Sequence, residues 1–242
     1  MNLKKDAYGQ QVFAYFNGKP SSEIVEREDG LIGVSTGSPL YFSDYNKWSV
    51  LEKKAIKYAK GNVLDVGCGA GRVCLYLQKK GLNVLGFDNS PLAIKVCKLR
   101  GVKNAKLLSI ENIGKLKFSS IDSVIMFGNN FGLFGNFNKA KVLLKEIYKI
   151  TKPNAVIIAQ SVDPYKTKDS IHLSYHKLNR KRGRMSGQLK IRVRFEKYIS
   201  DWFDYLLISQ KEMKEILEGT GWKIKKFINS KSSSYVAIIE KV

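Results

Sequence analysis

Val63-Leu64-Asp65-Val66-Gly67-Cys68-Gly69-Ala70-Gly71-Arg72 is the stretch on which the reading of the fold turns. Its first four residues have the apolar bias of a short buried strand, and the glycine cluster that follows marks a tight turn. Residues 72–80 then read as a helix that departs at once and stops at Gly81. Glycine permits positive φ and lets the backbone approach a ligand closely, so a strand, a glycine turn and a helix in this order form a ligand cradle. The spacing is G-x-G-x-G. The dinucleotide fingerprint G-x-G-x-x-G needs glycine where Arg72 stands, which disfavours a nucleotide-dependent dehydrogenase.

Working outward, the same alternation continues. Residues 83–87 read as a second strand, and Ser90-Pro91 caps and opens a helix that ends at Gly101. Strands follow at 105–108 and 121–127, a helix at 139–150, and a fifth strand at 155–161. Near the end of the chain Ser209 and Glu212 are spaced for a capping box over a helix at 210–218, and strands at 222–228 and 235–240 close a hairpin. The fold class is therefore α/β: a doubly wound seven-stranded sheet, mostly parallel, with an antiparallel C-terminal hairpin. A second signal lies in Gly86-Phe87-Asp88-Asn89-Ser90, which puts an acid at the end of the second strand, where a carboxylate accepts hydrogen bonds from ribose hydroxyls.

These two elements resemble the first two motifs of the class I S-adenosylmethionine-dependent methyltransferases, and the resemblance covers 62–161 and again 209–240. It implies S-adenosyl-L-methionine as cofactor. It places Asp65, Gly67, Cys68, Gly69 and Gly71 at the methionine part, Asp88 and Asn89 at the ribose, and Ser109 and Ile110 at the adenine, with Ser109 where the family usually has an acid. Gly128, Asn129 and Asn130, after the fourth strand, fall where the family lines the methionine end and the reaction centre. That loop lacks the Asn/Asp-Pro-Pro-aromatic pattern of nucleobase amino-methyltransferases. It is more similar to the glycine-asparagine loops of small-molecule N- and O-methyltransferases.

The remaining sequence divides the chain into 1–60, an aromatic-rich and largely irregular cap; 61–161, the cofactor core; 162–208, a basic β-rich insert; and 209–242, which completes the core. The insert begins as a loop rich in Asp, Tyr, His and Lys. Asp163, Tyr165, His172 and His176 are its candidates for a base or positioning group, since both histidines of the chain lie here. Tyr175, Arg192 and Arg194, with Asn130, are candidates for substrate contact. In 190–195 the period of two puts Ile191, Val193 and Phe195 inward and the cations outward, and 199–208 reads as the partner strand. Cap and insert are expected to roof the acceptor pocket together.

Charge frames the function classes. Lys+Arg number 42 against 21 Asp+Glu, a formal +21, which suits RNA, an acidic small molecule, or simply a solvated lysine-rich surface. Within 177–197, arginines outnumber lysines, and their planar forks suit phosphate or carboxylate. The leading expectation is a methyltransferase for a small, possibly anionic metabolite; an RNA methyltransferase and a non-catalytic cofactor-binding regulator are the alternatives. No apolar run approaches the roughly 20 residues a bilayer span needs, and Met1 to Asp6 does not read as a leader. Cys68, Cys74 and Cys97 have no metal or redox spacing, so a cytoplasmic protein with reduced thiols and no metal is expected.

Overall fold

The computed structural model describes residues 3–35, 37–116 and 120–242; Met1 and Asn2 of the leader reading lie outside them. The chain opens with α1 (Ala7–Phe16), a hairpin of β1 (Glu23–Arg27) and β2 (Ile32–Ser35), and the short helices α2 (Ser38–Tyr41) and α3 (Val50–Ala55). It then alternates through β3 (Asn62–Val66), α4 (Arg72–Lys79), β4 (Asn83–Asp88), α5 (Pro91–Leu99), β5 (Ala105–Leu107), β6 (Ile121–Met126), α6 (Phe137–Ile150) and β7 (Thr151–Val162). There follow α7 (Ser170–Lys181), β8 (Gln188–Phe195), β9 (Tyr198–Ile199), β10 (Phe203–Leu206), α8 (Gln210–Leu217), β11 (Trp222–Asn229) and β12 (Ser234–Lys241).

The larger sheet has seven strands in the order β11-β12-β7-β6-β3-β4-β5. Strands β3 to β7 run parallel, and β12 and β11 are antiparallel additions. Period two sorts its side chains into two cores. Leu64, Val66, Val124, Met126, Ile157, Ala159, Ala237 and Ile239 pack on one face. Val63, Ile125, Val156, Ile158, Val236 and Ile238 pack on the other. The helices supply the matching stripes: α6 buries Ala140, Leu143, Leu144 and Ile147, spaced i, i+3, i+4, i+7. The order reverses at β3, between β4 and β6, so a crevice opens at the strands' carboxyl ends at that point.

The second sheet departs from the sequence reading. Strands β10-β8-β1-β2 form one antiparallel sheet with β9 added to β8. Residues 1–60 therefore hold a hairpin around Asp29-Gly30, and its first strand pairs with the insert: Val25 faces Val193 and Arg27 faces Ile191. Cap and insert are a single layer. The polar stretch expected as a loop contains α7, whose start is capped by Asp169 accepting from Ile171 N at 2.8 Å. Its Tyr175, His176 and Asn179 are buried, one side of the helix facing inward. The expected partner strand at 199–208 is divided into β9 and β10.

One carboxylate ties the N-terminal segment to the core. Asp6 Oδ1 caps α1, accepting from Gly9 N at 3.0 Å, while Oδ2 accepts from Ser90 Oγ at 2.9 Å and Leu92 N at 3.2 Å at the start of α5. Asp6 thus satisfies orphan donors at two helix N-termini.

Candidate active site

The crevice is a cavity of about 600 Å³ between the two sheets. Its floor is the glycine turn. Gly67, Gly69 and Gly71 have φ of +67°, +54° and +81°, values an L side chain adopts at a cost of roughly 1–2 kcal/mol each. Gly67 N and Cys68 N both donate to Phe87 O, at 2.9 and 3.0 Å, which holds the turn against the end of β4. Space is equally restrictive: a Cβ on Gly67 would sit 2.6 Å from Asn130 Nδ2, and one on Gly69 2.6 Å from Tyr8 Oη.

Two buried acids border the turn. Asp88 accepts from Gly69 N at 3.0 Å and from Ser90 N at 2.9 Å, and burial pushes its carboxyl up to about 6 against those bonds. Asp65 is also raised to about 6 by burial, opposed by a hydrogen bond from Cys74 Sγ at 3.1 Å and by the nearby Arg72. Arg72, the first residue of α4, pairs with Glu52 in a nearly buried ion pair and stacks over Trp48. The three cysteines are free and buried beneath this turn, with Cys68 and Cys97 sulfurs 3.8 Å apart.

The roof is the second sheet. Tyr8, Glu23, Tyr41, Ile191, Val193 and Tyr205 all line the cavity. Glu23, 5% exposed, accepts from Tyr41 Oη at 2.8 Å through Oε1. Its Oε2 is buried and has no hydrogen-bond partner among the described residues. Burial pushes this carboxyl above its ordinary range, against the lowering effect of Tyr41 and Ser35. Tyr205 Oη donates to Asn129 O at 2.7 Å and so joins roof to floor.

Most residues assigned to the cofactor by resemblance meet here: Asp65, Gly67, Cys68, Gly69, Asp88, Asn89, Ser109, Ile110 and Gly128 line the cavity. Gly71 and Asn129 lie just behind it, in the turn and in the loop that Tyr205 grips. Asn130 lines it too, but its amide donates to Val66 O at 2.8 Å and Gly67 O at 2.9 Å, so it braces the glycine turn.

The candidates from the insert lie elsewhere. Asp163 caps a turn, accepting from Tyr165 N at 3.0 Å, and Tyr165 Oη donates to Glu212 at 2.7 Å. His172 Nδ1 lies 3.0 Å from Arg27, Tyr175 donates to Glu28 at 3.1 Å, and His176 is buried against Tyr165. None of these lines the cavity. Arg192 and Arg194 pair with Glu26 at 2.9 and 3.3 Å on the face of β8 opposite Ile191 and Val193. The pleat decides this outcome: if Ile191 and Val193 face the cavity, their neighbours face away. The sequence reading missed Tyr8, Glu23 and Tyr41. The available signal was Glu23-Ile24-Val25-Glu26-Arg27 and Ile32-Gly33-Val34-Ser35 flanking Asp29-Gly30, a hairpin pattern with an acid at an inward position.

Residues 64–159 match the family model for a methyltransferase domain. The chain carries a class I, S-adenosylmethionine-dependent methyltransferase domain. A protein of Geobacillus sp. (strain WCH70), named provisionally as a methyltransferase, is 28% identical over 131 residues, which is 50% of this chain and 52% of that protein. A human ATP synthase lysine N-methyltransferase is 28% identical over 79 residues, 31% of this chain and 34% of its own. The matched region thus spans about half or less of these curated relatives. The fold extends further. A crystal structure of an S-adenosylmethionine-dependent methyltransferase from Bacteroides fragilis, in complex with S-adenosyl-L-homocysteine, superposes with a TM-score of 0.84 at 24% identity, covering 100% of this chain and 97% of that one. The methyltransferase domain's own residues suit the cofactor: buried Asp88 and Asp65 offer carboxylate acceptors, and a Cβ on Gly128 would meet nothing within 4 Å, leaving the cavity wall open there. No group of three or more potential metal ligands occurs among the described residues, and no helix of theirs is long and apolar enough to cross a membrane.

Proposed function

We propose that this chain transfers a methyl group from S-adenosylmethionine to a nitrogen or oxygen of a small molecule held between the glycine turn and the roof sheet. The observation that carries this reading is the roof: Glu23, Tyr41, Ile191 and Val193 close over the same cavity that Asp65, Gly67 and Asp88 floor. The cofactor supplies an electrophilic methyl on a sulfonium sulfur. The chain supplies position and exclusion of water. In this reading Asp88, with Asn89 beside it, holds the ribose, Ser109 and Ile110 border the adenine, and Asp65 with the glycine turn takes the methionine end. Asn130 and Tyr205 act indirectly, fixing the turn and the loop after β6.

An RNA acceptor is less well supported. Arg182 and Arg184 pair with Glu28, Arg192 and Arg194 with Glu26, and Arg180 donates to Ser186, so the insert's arginines are engaged within the chain. The reading of a non-catalytic regulator makes the same binding prediction but no turnover, so label transfer from the cofactor separates the two. The test is calorimetric titration with S-adenosyl-L-homocysteine beside that turnover assay. Asp88→Ala removes hydrogen bonds to a charged acceptor worth roughly 1.5–3 kcal/mol each. Affinity is expected to fall at least about tenfold. A wild-type chain that does not bind the ligand refutes the proposal.

A further inference from the structure

The surface carries the chain's positive charge, but the cavity does not. Of the cations that line it, Lys5 bonds Asp201 at 2.7 Å, Arg72 pairs with Glu52, and Lys139 pairs with Glu111. Among the described residues, no cation in the lining is left for an anionic guest. The unmatched group is an acid. Glu23 stands on the inward side of β1, 5% exposed, with Oε1 engaged by Tyr41 and Oε2 buried and without a partner. A buried acceptor without a donor costs free energy, so its persistence at a cavity wall marks a place where a ligand supplies the donor. Around it the roof is apolar and aromatic, with Ile191, Val193, Phe203 and Tyr205 in the lining.

Resting on the methyltransferase reading above, we infer that Glu23 selects the acceptor, and that the acceptor is an amine on an apolar or aromatic frame. The geometry is that of an anchor: Tyr41 fixes one oxygen at 2.8 Å and leaves the other to accept an N–H. The same Oε2 is where a proton leaving that nitrogen is held. A carboxylate or phosphate acceptor would instead bring a second negative charge beside a buried one, with no paired cation to offset it. This replaces the acidic metabolite suggested by the arginine-rich insert, whose guanidiniums point the other way. Hydrophobic area on the ligand is matched by the β8 and β10 side chains, so a bare ammonium ion is a poor guest and an arylalkyl amine a good one.

The test uses the full chain saturated with S-adenosyl-L-homocysteine, and matched pairs of probes: benzylamine, phenethylamine and tryptamine against benzoate, phenylacetate and indole-3-acetate. Binding is read by calorimetry and by thermal shift. The amines are expected to bind at least about tenfold more tightly than the carboxylates of the same frame. In Glu23→Gln that preference is expected to vanish while S-adenosyl-L-homocysteine affinity stays at the wild-type value, the amide retaining an oxygen for Tyr41. Carboxylates that bind as well as amines, a wild-type chain that binds neither class, or a preference that survives in Glu23→Gln each overturn the inference. Loss of S-adenosyl-L-homocysteine binding in the wild type is a different failure, and it refutes the methyltransferase reading itself.

Discussion

Floor and roof of the cavity are built by different rules. The floor is local: β3, the glycine turn and α4 are contiguous, and the second acid arrives one βα unit later on β4. Each part is constrained by backbone geometry that only certain residues allow, such as three glycines at positive φ. The roof is assembled from β1 and β8, segments from opposite parts of the chain, and its inward residues are set by register. Shifting β8 by one residue would exchange Ile191 and Val193 for Arg192 and Arg194 at the cavity. A floor of this kind specifies a cofactor, whereas a roof of this kind is free to vary with the acceptor.

The largest effect is expected where the two regions touch. Gly69 has φ +54°, and a Cβ there would lie 2.6 Å from Tyr8 Oη, on the helix that leads into the roof. Gly69→Ala meets both backbone strain, roughly 1–2 kcal/mol, and this clash. Affinity for S-adenosyl-L-homocysteine is expected to fall more than about tenfold. Tyr8→Ala in the same chain removes the clash but leaves the strain, so part of the loss should return. Calorimetry on the two single variants and the double variant gives the coupling. Strict additivity would mean that floor and roof do not meet at this contact.

This contrast also explains how far the sequence could be read. The strand–turn–helix unit at 63–72 and the acid at Asp88 are legible because their geometry depends on neighbours in sequence. Seven strands and the closing hairpin follow from the same alternation, and the Ser209/Glu212 capping box is present as spaced. The hairpin of β1 and β2 was hidden because Ile24, Ile32 and Val34 are solvent-exposed on it, so its apolar residues do not mark a buried face. Glu23 reverses the usual sign, an acid pointing in beside apolar residues pointing out. The insert's polar stretch concealed α7 in the same way, since its buried side chains are Tyr175, His176 and Asn179 rather than aliphatic ones. Charge composition misled most directly. It described the outside of the roof, while the cavity wall has the opposite character.

A smaller effect follows from the floor's acids. Burial raises Asp88 and Asp65 to about 6 from an ordinary value of 3.8. Between those values the folded chain holds protons that the unfolded chain has lost, so these two groups make the ligand-free protein less stable as pH rises through that window. Ribose hydroxyls need the ionised carboxylate as acceptor, so ligand affinity moves the opposite way. It is expected to fall by roughly tenfold per pH unit below about 6 if one carboxylate must ionise. Ligand binding near pH 6 should release protons, visible as a dependence of the calorimetric heat on buffer ionisation enthalpy. An affinity independent of pH from 7 to 5 would remove Asp88 from the ribose.

The smallest effect is expected on the outer face of the roof. Glu26 binds Arg192 through two bonds of 2.9 Å, from Nε and Nη2, and Arg194 at 3.3 Å, while Arg192 also stacks over Trp202 at 4.6 Å. These groups are partly solvated, and pairs of this kind contribute little to stability. They face away from Ile191 and Val193, so Arg192→Ala combined with Arg194→Ala should leave affinity for S-adenosyl-L-homocysteine and for the amine probes at wild-type values. The same variant decides whether this face meets RNA. A single strand gripped here would release counterions, and each lost phosphate contact would reduce the slope of log K against log salt by about 0.7. Binding of tRNA fragments across a salt series is therefore expected to have the same shallow slope in both proteins. A steep slope that collapses in the double variant would place a polyanion on the roof's outer face and make the arginines, rather than Glu23, the residues that choose the acceptor.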